Sequence, residues 1–461
     1  MAQNIDVTRQ VDRQPVSSLL IGLLALCLLV TLADGYNISV TSFAGPALVK
    51  AWHINRAALG PLLSSSLVAG LLGPFVFGTL ADRLGRRNAM ITSTLMIGAF
   101  GIVSGFCDSL TSMIIVRFIA GIGMSGALAV TVATINEFAP RRVRATFVTI
   151  VFSGTTIGSG LPGLVAPTLL AHYGWQSLFF VGGTIPLVLA IAIYAWMPES
   201  PKFLCLKPAR RAELAKLVQR MDPQLPLEAN ATFTLGEATA TKASISPTKL
   251  FAGKLAILTP LLWFGAFVAM IAFHSFNTWL PTLLPDAGMT DKQASYTVAM
   301  FQFVGTLGGW VIMRPLDKFG MVPCTILYVL SLPLVAALAY YSGSASTLML
   351  LVPIAGFCIL GLHFAQVSCV SNIYPTSLRA TGVGWFVLIA RAGGAVGPLI
   401  VGSLVADHVG MKSLFYLATI PLGVGALASI AVTIIYNANY HRAPGSPGPV
   451  VAGPIPADRP A

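Results

Sequence analysis

The sequence contains few charged residues for its length. Only 10% of its 461 residues are charged and 55% are hydrophobic, whereas about 25% of residues are charged in typical soluble domains. The charges lie in clusters separated by twelve runs of about 20 apolar residues, the helix length that crosses a bilayer core of about 30 Å. A soluble protein of this size would need far more polar surface. The composition therefore predicts an all-α membrane protein.

The sequence also lacks the patterns that mark enzymes and metal sites. It has no H-E-x-x-H pair, nucleophile elbow or Walker loop, which are the marks of several large enzyme classes. Its six cysteines are scattered, without a C-x-x-C pair or a disulfide framework. We therefore expect no enzymatic activity, metal or cofactor. A membrane-embedded enzyme or a sensor is a poorly supported alternative, because the sequence contains no soluble domain.

The apolar runs predict twelve transmembrane helices in two sets of six. We place them at about residues 17–40, 59–80, 88–106, 111–138, 146–170, 177–197, 257–281, 293–313, 323–342, 346–373, 381–406 and 413–436. The chain then divides into a cytoplasmic N-terminus (1–16), an N-terminal six-helix bundle (17–197), a central cytoplasmic loop with an amphipathic surface helix (198–256), a C-terminal six-helix bundle (257–436) and a disordered cytoplasmic tail (437–461).

Positive charge is distributed asymmetrically across these helices. Of the 28 Lys and Arg residues, 22 fall on the side that holds both termini, four fall on the opposite side and two lie inside helices. Cytoplasmic loops carry such an excess, so both termini are predicted to lie in the cytoplasm. The net charge of +12 thus reflects topology in a cell membrane, and nucleic-acid binding is not expected because no basic–aromatic interleaving accompanies it.

An internal repeat relates the two halves of the chain. A shift of 235 residues places Asp82 on Asp317 and Arg144 on Arg379. Two separated loops that match at one offset indicate that the two halves are duplicates. The polar residues inside the helices have no counterparts at this offset, as expected if one asymmetric site lies between the halves.

Three charged residues, Asp34, Arg117 and Arg391, fall in the interior of predicted helices, away from their ends. A charge at the bilayer centre costs about 2.5 to 3.5 kcal/mol on insertion scales and therefore needs a partner, a proton or a water-filled cavity. Asp34 is the main candidate for a functional residue, although it could be a helix-packing acid. The arginines could bind a substrate anion or act as counter-charges, and Arg117 could instead extend to the outer interface.

Polar and aromatic residues at mid-membrane depth favour a ligand with a flat ring and a few polar atoms. The candidates in the second half are Asn277, Trp279, Phe301, Gln302 and Trp385. Each alone could be core or lipid-facing. Two histidines of the same region, His274 and His363, are each expected more often to make a helix–helix hydrogen bond.

The segment Gly73–Arg87, GPFVFGTLADRLGRR, lies between two apolar runs. Its end from Ala81 is predicted to be a very short loop at the membrane surface. Gly78–Arg87 resembles the loop 2–3 signature of the major facilitator superfamily, G-x-x-x-D-R-x-G-R-R, at every fixed position. More narrowly, Asp34-Gly35-Tyr36-Asn37 is similar to the D-G-x-D element in helix one of the aromatic acid:proton symporters, and the likeness covers nearly all the chain outside the termini and the central loop.

This resemblance implies a monomeric twelve-helix transporter that takes up a benzoate-type acid, such as 4-hydroxybenzoate or protocatechuate, with protons. It implies that Asp34 takes the proton and that the substrate site comprises Tyr36, Asn37, Arg117, Asn277, Trp279, Phe301, Gln302, Trp385 and Arg391. The gating residues would be Gly78, Asp82, Arg83, Gly85, Arg86, Arg87, Glu137, Arg144, Asp317, Lys318 and Arg379. In this hypothesis the charged loops close the cytoplasmic side and do not touch substrate.

One residue departs from the family pattern, because Asn37 replaces the second acid of D-G-x-D. Proton coupling then falls more heavily on Asp34, with substrate choice or proton stoichiometry altered. The nearest alternative is another transporter of the superfamily, for an aliphatic organic acid or for drug export. Exporters usually show G-x-x-x-G-P-x-x-G in helix five, which the glycines from Gly154 to Gly163 only approximate.

Overall fold

A computed structural model describes residues 4–222, 225, 231–235, 247–253 and 255–439. A short strand β1 (Asn4–Asp6) and helix α1 (Val7–Arg13) precede the first bundle. The first bundle contains α2 (Ser18–Trp52), α3 (Leu59–Ala69), α4 (Gly73–Leu84), α5 (Arg86–Ser104), α6 (Leu110–Phe138), α7 (Arg141–Tyr173) and α8 (Gln176–Trp196). The central segment contains α9 (Pro201–Cys205), α10 (Arg211–Met221) and β2 (Thr232–Thr234). The second bundle contains α11 (Leu255–Leu283), α12 (Asp291–Phe319), α13 (Val322–Tyr340), α14 (Ala345–Ile373), α15 (Thr376–Ala406) and α16 (Met411–Asn439).

These helices confirm the predicted twelve-helix architecture. Within the described residues, eleven stretches are long and apolar enough to cross a membrane, with α3 and α4 counted as one. The twelfth helix is α5, which has 19 residues. Equivalent pairs, α2 with α7 and α11 with α15, pack in the two halves, in agreement with the 235-residue repeat. The halves meet where α2 contacts α11, α3 contacts α15 and α7 contacts α12.

The second transmembrane helix is divided, which the sequence analysis did not predict. The backbone leaves the regular helix between Gly70 and Leu72, and α4 begins at Gly73 with Pro74 in its first turn. Proline suits a first helical turn because its missing N–H has no partner there in any case. The break leaves the carbonyl group of Gly70 available to a partner outside its own helix.

The predicted loop from Ala81 to Arg87 is shorter than expected. Helix α4 continues to Leu84 and α5 begins at Arg86, so only Gly85 lies between them. Gly85 has a φ angle of 98°, a backbone region that glycine alone adopts readily. The glycine therefore allows two helices to join through a single residue.

The N-terminus and the central segment fold against the first bundle. Strands β1 and β2 pair in parallel, with Ile5 opposite Phe233. Helix α10 confirms the predicted amphipathic helix and buries Leu214, Leu217, Val218 and Met221 on one face. The last helix ends later than predicted, because α16 extends to Asn439 whereas the tail was expected to begin at residue 437. Residues 440–461 of the predicted tail lie outside the described part of the chain.

Candidate functional site

The two halves are closed against each other at the face opposite the termini, called the outer face below. A Cβ atom at Gly60 would lie 3.1 Å from the Cα atom of Gly402, so α3 and α15 approach at backbone distance, as small residues allow between membrane helices. At the surface, Nη1 of Arg56 lies 2.9 Å from both carboxylate oxygens of Asp286. These contacts join an N-terminal loop to a C-terminal loop.

The face that holds the termini, called the inner face, is arranged differently. Helix α4 packs mainly on α5 and α6 of its own half, and within the described residues no hydrogen bond or ion pair joins it to the second half. A Cβ atom at Gly78 of α4, or at Gly384 of α15, would have no neighbour within 4 Å. The inner ends of α4 and α15 are thus apart, and this arrangement, which is open toward the inner face, is called inward-facing below.

Asp34 and Arg391 lie on opposite halves near the middle of the membrane. Asp34 on α2 is 1% exposed, and its Oδ1 atom has no hydrogen-bond partner. Arg391 on α15 is the charged group that acts electrostatically on Asp34. No nitrogen–oxygen distance between these two described residues is short enough for an ion pair. The acid is therefore in the field of the arginine without being bound by it.

Arg391 instead contacts the break in the second transmembrane helix. Its Nη1 donates to the carbonyl oxygen of Gly70 at 3.0 Å, so a side chain of the second half binds the backbone of the first. A guanidinium carries five N–H donors, and this contact uses one of them. Arg391 can therefore accept an anion while it remains at the boundary between the halves.

Two histidines adjoin Arg391, and the sequence analysis expected each of them to make a helix–helix hydrogen bond. His274 on α11 and His363 on α14 both lie within the electrostatic range of Arg391. His363 stacks on Phe273 with ring centroids 6.1 Å apart. Nδ1 of His274 is buried without a hydrogen-bond partner, so it does not make the expected helix–helix bond. The glycine pair that follows Arg391 in sequence was the feature that could have indicated a side chain packed against α15, because the ring of His274 packs on Gly394.

The predicted ring and hydroxyl contacts of the second half divide into two groups. Nε2 of Gln302 donates to Oδ1 of Asn277 at 2.7 Å, and both residues are buried. Trp279 and Phe301 are packed inside the same half: Nε1 of Trp279 donates to the carbonyl of Pro398 at 3.1 Å. Asn277 and Gln302 therefore form a buried polar pair, and Trp279 lies in the packing between α11 and α15.

Two further aromatic residues lie outside this polar group. Phe301 is fully buried and stacks on Phe276 at 6.4 Å. Trp385 is 39% exposed and stacks on Trp263 at 6.0 Å. Trp385 thus has a free ring surface, whereas Phe301 does not.

The predicted site residues of the first half contact their own bundle. The hydroxyl of Tyr36 donates to the carbonyl of Leu178 at 3.1 Å, and Nδ2 of Asn37 donates to the carbonyl of Gly182 at 2.7 Å. Arg117 is fully buried, donates through Nη2 to the carbonyl of Asn37, and has no partner for Nε and Nη1. These three residues lie between α2, α6 and α8, and the alternative that Arg117 extends to the outer interface is wrong.

Several predicted gating residues form one charged cluster at the inner end of the first half. Arg86 donates from Nη1 to Asp82 at 2.8 Å and from Nη2 to Glu137 at 2.9 Å. Its Nε lies 3.1 and 3.2 Å from the two oxygens of Glu137. The forked guanidinium thus ties α4, α5 and α6 together through charge-assisted hydrogen bonds.

Glu199 completes this cluster, and the sequence analysis did not identify it. Its Oε1 accepts from the backbone N–H groups of Arg86 at 2.7 Å, Arg87 at 3.2 Å and Ser200 at 2.8 Å. A carboxylate at this position stabilises the first turn of α5. Burial raises the pKa of Glu199, and the backbone hydrogen bonds act in the opposite direction.

The remaining gating candidates lie at the inner face, where, among the described residues, they form no hydrogen bond or ion pair between the halves. Arg144 donates to the carbonyl of Ala139 at 2.8 Å and lies 3.5 Å from Asp12 of the N-terminal segment. Arg83, Asp317, Lys318 and Arg379 are exposed. Their predicted gating role requires a state in which the inner face is closed.

Comparisons with known proteins agree with this architecture. The family description Major Facilitator Superfamily matches residues 27–398. The 4-hydroxybenzoate transporter PcaK of Pseudomonas putida is 31% identical over 94% of this chain and 96% of its own length. The gallate transporter of the same organism is 31% identical over 93% of this chain and 95% of its own length. The solved xylose transporter XylE from E. coli superposes with a TM-score of 0.68 at 16% identity, over 92% of this chain and 98% of the other. The chain is a multi-pass transporter that belongs to the Major Facilitator Superfamily.

Proposed function

We propose that this transporter imports an aromatic carboxylate of the benzoate or hydroxybenzoate type together with a proton, by alternating access across the cell membrane. Relatives named as 4-hydroxybenzoate, gallate and benzoate transporters support this substrate class. The asymmetry of Lys and Arg supports cytoplasmic termini, so the inner face is the cytoplasmic face. The working unit is a monomer, and the coupling proton takes the place of any cofactor.

The observation that carries the proposal is the placement of Asp34 and Arg391 on opposite halves without a direct ion pair. A substrate carboxylate bound to Arg391 brings a second negative charge beside Asp34. Two such charges 4 Å apart repel by about 4 kcal/mol at an effective dielectric constant of 20. Protonation of Asp34 removes this repulsion, so proton and substrate bind together.

Release follows from the same geometry. In the inward-facing arrangement the substrate leaves Arg391 toward the cytoplasm, and Asp34 then loses its proton. The ionised acid is attracted to Arg391, so the empty site has no net charge when the halves rearrange. Asn277 and Gln302 contribute polar contacts to the ring, and Trp385 offers an exposed ring face. Tyr36, Asn37 and Arg117 act indirectly, through the packing of α2 on α8.

The test is uptake of labelled 4-hydroxybenzoate into proteoliposomes under a pH gradient that is acid outside. The wild type should concentrate the label. Asp34→Asn should not concentrate it, but should still exchange internal for external substrate, because exchange requires no net proton movement. Asp407→Asn, which removes an exposed carboxylate at the end of α15, is the matched control.

Two outcomes would contradict the proposal. Undiminished accumulation by Asp34→Asn would remove this residue from proton coupling. A wild type that carries no member of a panel of benzoates would refute the substrate class, and label driven outward by the gradient would favour the exporter alternative.

A further inference from the structure

We propose that His274 and Gln302 bind a ring hydroxyl of the transported acid and so determine a preference for hydroxylated over plain benzoates. This inference rests on the proposed function and concerns the end of the substrate away from its carboxylate. The inference also explains why a polar ring is present at His274, where no partner within the described protein uses its Nδ1 atom.

The orientation of the His274 ring is fixed by α15. A Cβ atom at Gly394 would lie 2.5 Å from Cδ2 and 2.9 Å from Nε2 of the imidazole, so this edge of the ring faces α15 and the glycine makes room for it. Nδ1 lies toward the other edge, buried and without a hydrogen-bond partner. An unsatisfied buried polar atom costs about 1 to 3 kcal/mol. A partner that arrives with the substrate would remove this cost.

Gln302 presents a second buried polar atom without a partner, next to Asn277 of α11. Asn277 lies three residues after His274 on α11, and such spacing places both side chains on one helix face. Oδ1 of Asn277 accepts from Nε2 of Gln302 at 2.7 Å, which fixes the orientation of the Gln302 amide. Oε1 of Gln302 is therefore directed elsewhere, and it is buried without a partner.

These two atoms suit a neutral hydroxyl better than a second carboxylate. An amide oxygen only accepts, and a neutral imidazole nitrogen accepts or donates according to its tautomer, so the pair can satisfy the donor and the acceptor function of one O–H group. The charged and titratable groups that act on His274 are His363 on α14 and Arg391 on α15, and Asp34 on α2 faces Arg391. With the carboxylate bound to Arg391, the ring extends toward α11 and brings its hydroxyl to this pair.

The experiment compares the KM values of benzoate and 4-hydroxybenzoate in the proteoliposome uptake assay. The wild type should prefer 4-hydroxybenzoate. His274→Phe keeps a flat ring but removes its polar atoms, so it should reduce the ratio of the two KM values about tenfold, the equivalent of one hydrogen bond. His274→Asn keeps a polar atom near the position of Nδ1 and should restore part of the preference.

The matched control is Tyr328→Phe, which removes a buried hydroxyl that is fully partnered inside the same half. That hydroxyl donates to the carbonyl of Gly265 at 2.7 Å and accepts from Gln366 at 2.7 Å. The control can reduce the amount of folded protein but should leave the KM ratio unchanged. If His274→Phe does not reach the membrane, Gln302→Leu tests the same contact and should also lower the ratio.

Three outcomes would overturn the inference. They are an unchanged ratio in His274→Phe, an equal loss for both acids, and a wild type that does not distinguish them. In each of these cases the wild type still carries aromatic acids, so the proposed function would stand. Failure of the wild type to carry either acid would refute both.

Discussion

Closure of the outer face depends on two glycines where α3 crosses α15, so a side chain there should hold the transporter open to the outside. A Cβ atom at Gly60 would lie 3.1 Å from Cα of Gly402 and 3.3 Å from the carbonyl oxygen of Pro398. A Cβ atom at Gly402 would lie 2.9 Å from Cα of Gly60. The neighbours are backbone atoms, which cannot rotate away as a side chain can.

The size of the effect follows from this rigidity. Enlarging a residue at a well-packed contact costs about 1 to 3 kcal/mol. Each 1.4 kcal/mol changes an equilibrium constant about tenfold, so Gly60→Val or Gly402→Val should lower the ratio of the outer-closed to the outer-open state about 5-fold to 150-fold. The backbone contact favours the upper part of this range.

The assay is thiol labelling from outside with a membrane-impermeant reagent. Thr282 near the outer end of α11 is 3% exposed in the closed state, so Thr282→Cys reports opening. Gly60→Val should raise the labelling rate and lower net uptake. Gly423→Val is the control, because a Cβ atom there would meet only Cδ2 of Leu332, at an ordinary distance of 3.7 Å. Unchanged labelling and uptake in Gly60→Val would refute the reasoning.

A second glycine pair, Gly78 on α4 and Gly384 on α15, is suited to the opposite state. Gly384 lies 18 residues before Gly402 on the same helix, a spacing of about five helical turns. Both have open space in the inward-facing arrangement. Gly78→Val should therefore oppose closure of the inner face and reduce outside labelling of Thr282→Cys. An increase would contradict the predicted gating role of Gly78.

Two further predictions concern the charged cluster. Gly85→Ala should destabilise the protein by at least about 1 kcal/mol, because alanine is disfavoured at positive φ and its Cβ atom would collide with the carboxylate of Glu199. Thermal unfolding in detergent measures this loss of stability. An unchanged unfolding midpoint would contradict the prediction. The pKa of Glu199 is raised in the folded state, so the folded protein binds a proton at this carboxylate more tightly than the unfolded chain does. The contribution of Glu199 to the free energy of unfolding therefore falls as the pH rises from the ordinary pKa of a glutamate through the raised pKa. Glu199→Gln should flatten that part of the curve of unfolding midpoint against pH, and a curve of unaltered slope would exclude the effect.

The positions of the helices and of the charged pair Asp34 and Arg391 were predictable, because each depends on the free-energy cost of placing individual residues in the bilayer. An apolar run of about 20 residues has one favourable location in a bilayer. An acid or an arginine inside such a run must face protein or water, which identified Asp34 and Arg391 before any contact was known. Their positions on opposite halves followed from the division of the chain into two six-helix bundles, because residue 34 falls in the first and residue 391 in the second.

The orientation of Tyr36 and Asn37 was not predictable. Helix α2 is apolar over most of its surface, so the sequence contains no polar stripe from which the face of a residue could be read. The structure shows that these side chains face α8 by their bonds to Leu178 and Gly182. The break at Gly70 also needed three-dimensional information, because glycine and proline occur inside many membrane helices.

The partners of the charged loop residues depend on conformation, which a sequence does not specify. Arg86 was expected at a gate between the halves, and in this state it binds Asp82 and Glu137 of its own half. Complementary charge identifies possible partners only. Which of them is engaged depends on whether the inner face is open.

The hydrogen bonds of Asn37 bear on the driving force for transport. Its amide donates to the carbonyls of Ala33 and Gly182 and cannot carry a proton, which leaves Asp34 as the acid in the central part of the membrane-spanning helices. A single proton moved with a single monoanion transfers no net charge, so the membrane potential would do no work on the loaded carrier. Accumulation would then be set by the pH difference alone, at about 1.36 kcal/mol per unit, or roughly tenfold per pH unit. A cell with a large potential but equal pH on both sides would equilibrate the acid without concentrating it.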